Sequence, residues 1–88
     1  MEIIINNDEN KFFINSKFNH YQISQIRLGL RNELDISKYA DIKFNADQMN
    51  EIRKGLEKGL DVSKYANPNF TESKMHEIRF GLLNVVER

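Results

Sequence analysis

The stretch from Glu51 to Ala66, EIRKGLEKGLDVSKYA, decides the fold because related stretches lie on both sides of it. The segment 25–40 reads QIRLGLRNELDISKYA, and the segment 77–88 reads EIRFGLLNVVER. Gly55 stands inside what reads as a helix, where a glycine costs about 1 kcal/mol relative to alanine. The same glycine recurs at a step of 26 residues. A period in this range is typical of stacked repeats, in which each unit buries its apolar face on its neighbour.

The 26-residue register aligns the whole chain after a short lead. We therefore predict one domain over 1–88, with a lead at 1–17, repeats at 18–43 and 44–69, and a truncated repeat at 70–88 that stops before the tyrosine-containing tail. Four sets of aligned positions define the register: Phe18, Phe44 and Phe70; Arg27, Arg53 and Arg79; Gly29, Gly55 and Gly81; and Leu30, Leu56 and Leu82.

Each repeat carries the start signals of a helix. Asn19 with Gln22 and Asn45 with Gln48 have the spacing of capping boxes, whereas Thr71 is followed by Lys74 and lacks one. Apolar residues then follow the helical period, which predicts helices at 20–33, 46–58 and 72–86. We expect Gly59 to cap the end of the second helix, and Asp35 and Asp61 to begin a short helical turn in each full repeat.

The lead has a different pattern. Two segments rich in Ile and Phe, at 3–5 and 11–14, flank the polar sequence NNDEN, which favours a β-hairpin. The predicted fold class is therefore mostly α within an α+β fold. An N-terminal β-hairpin precedes three 26-residue helical repeats, each a long helix with a short helical turn.

Composition narrows the function classes. The chain has 13 basic and 13 acidic residues and no cysteine, and its apolar runs are far shorter than the roughly 20 residues of a membrane span. No region is polybasic, so a nucleic-acid partner is less expected than a protein partner. Without a recognisable signal peptide or span, we expect a location in the cytoplasm of a bacterial host and no membrane partner.

Catalytic motifs are missing from the sequence. His20 and His76 fall at different repeat positions, without carboxylates or thiols at ligand spacing. No phosphate-binding, dinucleotide-binding or zinc-protease motif occurs. We therefore predict a protein that is not an enzyme and has no metal or cofactor.

Two sets of repeated residues allow both a structural and a functional interpretation. The glycines indicate close packing between units, with the rings of Tyr39 and Tyr65 against them, or the approach of a partner's backbone. Arg27, Arg53 and Arg79 suit salt bridges, with Asp35 and Asp61 as partners, or a ladder of contacts to anions or an acidic partner.

Residues that break the repeat are the candidates for partner binding. One register holds Leu28, Lys54 and Phe80, on the side of the helix away from the apolar stripe. Tyr21 extends the apolar patch on the first helix, and Leu83 extends it on the last. The alternative is that the hairpin covers one patch and that the other marks the end of the stack. Exposed apolar patches are typical of interaction sites.

The segment 48–66 resembles a repeat of uncharacterised proteins from bacterial mobile genetic elements, Gln-Met-x-Glu-Ile-Arg-x-Gly-Leu-x-x-Gly-Leu-Asp-Val-Ser-x-Tyr-Ala. The resemblance extends over 18–88, although Glu33 replaces the second glycine in the first copy and the third copy ends early. It implies a phage or conjugative-element setting, where small proteins often block host defence.

The predicted function is a non-catalytic protein-binding module. Its expected role is to inhibit a host defence complex, for example as an anti-CRISPR protein that occludes a surface of a CRISPR effector. The alternatives are a small nucleic-acid-associated regulator that uses the repeated arginines, and a self-associating structural protein that forms a homodimer.

Overall fold

A computed structural model of the chain describes residues 17–86. Its α-helices are α1 (His20–Arg31), α2 (Ala46–Glu57) and α3 (Glu72–Val86), and two short 3₁₀ helices, Ile36–Lys38 and Val62–Lys64, follow α1 and α2. The middle helix α2 packs against both α1 and α3, so the helices form a single layer. The predicted order of a long helix and a short helical turn is confirmed in the first two repeats.

The prediction of an α+β class is wrong. Every regular element among residues 17–86 is helical, and no strand occurs there. The physical reason is that each segment of this range combines a helix cap with apolar residues at helical spacing, so its backbone groups are satisfied within the helix and need no strand partner. The β-hairpin predicted for 1–17 falls on residues that, Lys17 excepted, lie outside the described part of the chain.

The helix starts form as the capping pattern predicts. The Asn19 side chain accepts a hydrogen bond from the Gln22 backbone N–H at 2.8 Å, and the Gln22 side chain accepts one from the Asn19 N–H at 2.8 Å. Asn45 and Gln48 form the same pair. Gln22 also donates from its amide to the Phe44 carbonyl at 2.7 Å. The capping glutamine therefore joins the start of its own helix to the start of the next repeat.

The helix ends explain why the third repeat differs from the first two. Glu33 and Gly59 occupy the same repeat position, and both have a positive φ, 58° and 71°. This conformation ends the helix and turns the chain back. Val85 holds that position in the third repeat, and a β-branched residue strongly resists a positive φ. Consequently α3 has 15 residues, whereas α1 and α2 have 12 each.

Close packing accounts for the glycines inside α1 and α2. A Cβ atom built on Gly55 would overlap the hydroxyl oxygen of Tyr65 and would lie 2.8 Å from Val62 Cγ1. The Tyr65 hydroxyl donates to the Glu51 carbonyl at 2.6 Å, and its ring is fully buried. Gly29 and Tyr39 repeat this arrangement. The predicted contact between ring and glycine is confirmed, although each ring belongs to the same repeat as its glycine rather than to a neighbouring unit.

Replacing Gly55 with alanine is expected to destabilise the fold, since the new methyl group meets the Tyr65 hydroxyl. Overpacking of this kind costs about 1–3 kcal/mol of unfolding free energy. Gly81→Ala is the matched control, because a Cβ there meets no neighbouring segment within 4 Å in the described part of the chain. It should raise the unfolding free energy by up to about 1 kcal/mol through helix propensity. Urea denaturation measures both values, and shifts of the same sign would contradict the packing explanation.

Alkaline pH should weaken the fold through the buried tyrosines. Burial raises the pKa of Tyr39 to about 12 and raises the pKa of Tyr65 as well. Because the unfolded chain loses these protons near pH 10, the stabilisation is complete below that pH and is lost as pH rises toward 12. Urea unfolding at several pH values above 9 should show this decline, and Tyr39→Phe should make it less steep. An unchanged slope in the variant would rule out Tyr39 as a source.

Candidate partner-binding surface

One side of the helical layer carries several of the positions at which all three repeats differ. On this side each helix presents the register that holds Leu28 in α1, Lys54 in α2 and Phe80 in α3. Since the three helices repeat one geometry, residues of one register lie on one side of the layer. Tyr21 lies about two helical turns before Leu28 on the same side of α1. We call this side the variable face.

Two open grooves run between neighbouring helices on the variable face. The groove between α1 and α2 has a volume of about 460 Å³, and the one between α2 and α3 about 520 Å³. Asn50 lines both grooves, so they are adjoining parts of one surface. The other lining residues are Asn19, Tyr21, Ser24, Gln25, Ala46 and Asp47 in the first groove, and Glu51, Lys54, Glu72, Ser73, His76 and Glu77 in the second.

Three of the four predicted partner-binding residues are exposed on this face. The exposed fraction is 66% for Tyr21, 37% for Leu28 and 45% for Phe80. Leu83 is only half-buried and occupies the register of Glu57, beside the recurring arginine. The structure therefore brings the two predicted patches to one face, with Tyr21 and Leu28 at one end and Phe80 at the other. Whether these residues bind a partner stays a prediction.

Neighbouring side chains fix the orientation of Phe80 despite its exposure. The His76 ring meets the Phe80 ring edge to face, with centroids 4.6 Å apart. The Arg79 guanidinium lies 5.1 Å from the centroid of the same ring. A ring held in this way loses less conformational entropy when a partner binds to it.

The Arg53 side chain links α1 to α2. Its Nε donates to Gln25 Oε1 at 2.8 Å and its Nη2 to Asn50 Oδ1 at 2.7 Å. Glu57, one turn further along α2, supplies the carboxylate that pairs with the guanidinium. Arg53 is therefore engaged within the protein on three sides.

The Arg79 side chain plays the equivalent part between α2 and α3. Its Nε donates to Glu51 Oε1 at 2.8 Å, and both side chains are almost fully buried. His76 Nδ1 lies 3.2 Å from Arg79 Nη2 and 3.4 Å from Glu51 Oε1. Arg27, in the same register of α1, is half-buried. A role for the three arginines in binding an anion or an acidic partner remains a prediction.

The aspartates proposed as arginine partners have a different role. Asp35 accepts hydrogen bonds from the backbone and hydroxyl of Ser37, and Asp61 does the same with Ser63. These bonds lower the pKa of both carboxyl groups. The prediction that Asp61 or Asp35 pairs with Arg53 or Arg79 is therefore wrong, whereas the prediction that they cap the short turns is confirmed.

Sequence reasoning missed the partners that the arginines actually use. Gln25 pairs with Arg53 and Glu51 with Arg79, each at a separation of 28 residues. The signal was available, because a carboxylate or an amide stands two residues before the arginine in every repeat. It was not recognised because the pairing joins one repeat to the next. Sequence reasoning also did not predict that Ile42, in the loop before α2, is an exposed apolar side chain.

Other site types find no support among residues 17–86. That range contains no group of three or more histidine, aspartate or glutamate side chains placed to hold a metal ion. Within it no helix is both long and apolar enough to cross a membrane.

Comparisons of the chain with protein families, with curated proteins and with solved structures found no match. The resemblance of 48–66 to a mobile-element repeat therefore stays a prediction.

The two interfaces neutralise their arginines with carboxylates from different places. In the first, Gln25 is neutral and Glu57 supplies the charge; in the second, Glu51 supplies the charge and Leu83 stands in the register of Glu57. The carboxylate that pairs with Arg53 lies on the same helix, whereas the carboxylate that pairs with Arg79 lies on the preceding helix. This difference provides an internal test of the interface.

Glu51→Gln is expected to lower the unfolding free energy by about 1.5–3 kcal/mol, the usual worth of a hydrogen bond to a charged group. Adding Leu83→Glu should recover part of this loss, because the double variant copies the Gln25, Arg53 and Glu57 arrangement. Urea unfolding of both single variants and the double variant gives the coupling energy. Strictly additive losses would mean that the two carboxylate positions are not equivalent.

Proposed function

We propose that the protein is a non-catalytic protein-binding module whose variable face contacts the partner through Tyr21, Leu28 and Phe80. The observation that carries the proposal is the exposure of these three apolar side chains on one side of the layer, while the apolar residues between the helices are buried. Exposed apolar residues grouped on one face favour protein contact over solvent. Leu83, half-buried beside Phe80 on α3, would lie at the edge of the contact.

The centre of the variable face gives the proposed contact its specificity. Lys54 and Asp47 on α2 lie between the apolar ends, and Asn50 lines both grooves. A partner that fits must place apolar groups over the ends and polar groups over the middle. This order differs from the usual interface, which has an apolar centre and a polar rim. The polar middle would therefore select partners by complementary charges and hydrogen bonds.

The arrangement of the arginines makes a nucleic-acid partner the weaker proposal. Binding to a phosphate backbone depends on accessible positive charge. Arg53 and Arg79 are engaged with Glu57 and Glu51, and the chain has a formal charge of zero. Self-association through the apolar ends of the variable face is the third possibility, and the experiment below separates it from the first.

A finer proposal concerns the biological setting. The resemblance to mobile-element repeats suggests a bacterial host, and within it an inhibitor of a defence complex such as a CRISPR effector. The inhibitor would act by occluding a surface of its target. This level of detail is supported by the resemblance alone, whereas the binding face is supported by the geometry.

Capture from bacterial lysate tests the proposed face. The tagged full chain should retain a protein at stoichiometric yield with or without nuclease treatment. Leu28→Ala combined with Phe80→Ala should reduce this yield at least about tenfold, which corresponds to about 1.4 kcal/mol of binding free energy. Ile42→Ala is the control, because Ile42 is exposed and apolar but lies in the loop before α2.

Urea midpoints of the variants establish that lost capture is not lost folding. Equal capture by the Leu28/Phe80 variant and the wild type would overturn the proposed face. Capture that disappears with nuclease would favour the nucleic-acid alternative. If only the bait is recovered and light scattering gives a dimer, self-association replaces the proposal.

A further inference from the structure

Glu51 is the centre of a contact that two different segments make with α2. Its backbone carbonyl accepts the hydrogen bond of the Tyr65 hydroxyl, and its carboxylate accepts that of Arg79. Gly55 lies one turn further along and leaves the space that the tyrosine ring fills. Glu51 and Gly55 therefore form a binding site on α2 for one tyrosine side chain and one arginine side chain.

The third helix has the same pair of residues, but no tyrosine or arginine of the described chain is bound to them. Glu77 and Gly81 stand in the registers of Glu51 and Gly55. Both are exposed on α3, whereas Glu51 and Gly55 are buried on α2. Apart from the backbone of its own helix, a Cβ atom built on Gly81 would meet no atom of residues 17–86 within 4 Å. We call the space that a tyrosine ring would fill beside Gly81 the tyrosine slot of α3. This slot is open in the described structure.

Among the described residues, none after Gly81 closes this slot. The segment 82–88 contains no tyrosine, and α3 continues as a helix to Val86 where the earlier repeats turn back. Retaining Gly81 in an exposed helix interior has a cost of about 1 kcal/mol relative to alanine. In α1 and α2 that cost is offset by the tyrosine ring, which is absent from α3.

We propose that the outer face of α3 is a binding site for a tyrosine-bearing turn of a partner protein. The ring lies on Gly81, its hydroxyl donates to the Glu77 carbonyl, and an arginine of the partner pairs with the Glu77 carboxylate. The Glu77 carbonyl can take this bond in addition to its helical one, because a carbonyl oxygen has two lone pairs. The protein's own repeats define this chemistry, since Tyr39 and Tyr65 occupy the equivalent slots.

The occupant is a different protein rather than a second folded copy. Tyr39 and Tyr65 are fully buried, so a folded copy does not offer them. Tyr21 is exposed, but it lies in the first turn of α1 and not in a turn that follows a helix. The inference goes beyond the proposed function, because the tyrosine ring would lie on Gly81, which lines neither groove of the variable face, although Glu77 also borders the second groove.

The test uses a synthetic peptide with the sequence of residues 59–66, GLDVSKYA, and the full chain labelled with ¹⁵N. Titration to millimolar peptide should shift the backbone amides around Glu77 and Gly81 in a saturable manner. Gly81→Ala should weaken this binding at least tenfold, because its methyl group takes the place of the tyrosine hydroxyl. The same peptide with alanine in place of tyrosine should also bind at least tenfold more weakly.

The variants distinguish this site from the variable face. Gly81→Ala is expected to keep or raise the unfolding free energy, so its loss of binding cannot come from unfolding. Leu28→Ala should leave peptide binding unchanged, whatever it does to capture from lysate. No shift at 77–81, or equal binding by Gly81→Ala, would overturn the inference. If the Gly81 amide shifts with protein concentration alone, a second copy of the chain fills the slot. That result would overturn the inference that the partner is a different protein.

Discussion

The first two repeats are each held in shape by a tyrosine ring that lies on a glycine of its own helix. The contact folds the 3₁₀ helix back onto α1 or α2, because the tyrosine hydroxyl reaches a helix carbonyl that only a missing side chain leaves open. This fold-back brings the chain to Phe44 and Phe70, whose carbonyls accept hydrogen bonds from the capping glutamines. The spacing between successive helices therefore depends on the tyrosine ring and on the glycine beside it, because a methyl group at the glycine would displace the ring.

The interfaces between helices show how a repeat can vary its chemistry while keeping its geometry. Arg53 and Arg79 extend in the same way toward the preceding helix and use the same Nε atom, but one meets an amide and the other a carboxylate. A buried charge needs a counter-charge nearby, and each interface provides one from a different position. Glu57 does so on the arginine's own helix, whereas Glu51 does so across the interface. The variation also frees the register of Glu57 in the third repeat for an apolar residue, Leu83.

The same principle separates scaffold from surface. Residues that repeat are mostly those that build the contacts between tyrosine and glycine, between cap and carbonyl, and between arginine and its partners. Residues that vary, such as Leu28, Lys54 and Phe80, point away from these contacts and set the character of the variable face. Gly81 is the exception, since it repeats although no tyrosine of the described residues lies against it. The proposed external occupant would supply the contact that the other two repeats make within the chain.

The sequence by itself determined the repeat, the capping boxes and the helix limits to within two residues, because these depend on interactions within a few positions of the chain. It also indicated that tyrosine rings meet glycines, because a missing side chain inside a helix leaves room for a ring to approach. The tertiary structure decided the partners of Arg53 and Arg79, which lie 28 residues away and belong to the preceding repeat. It also decided that Leu83 is half-buried while Phe80 is exposed, because burial depends on what packs alongside. The α+β class was wrong because every regular element among residues 17–86 is helical. The strand expectation rested on the lead alone, whose residues 1–16 lie outside the described part of the chain.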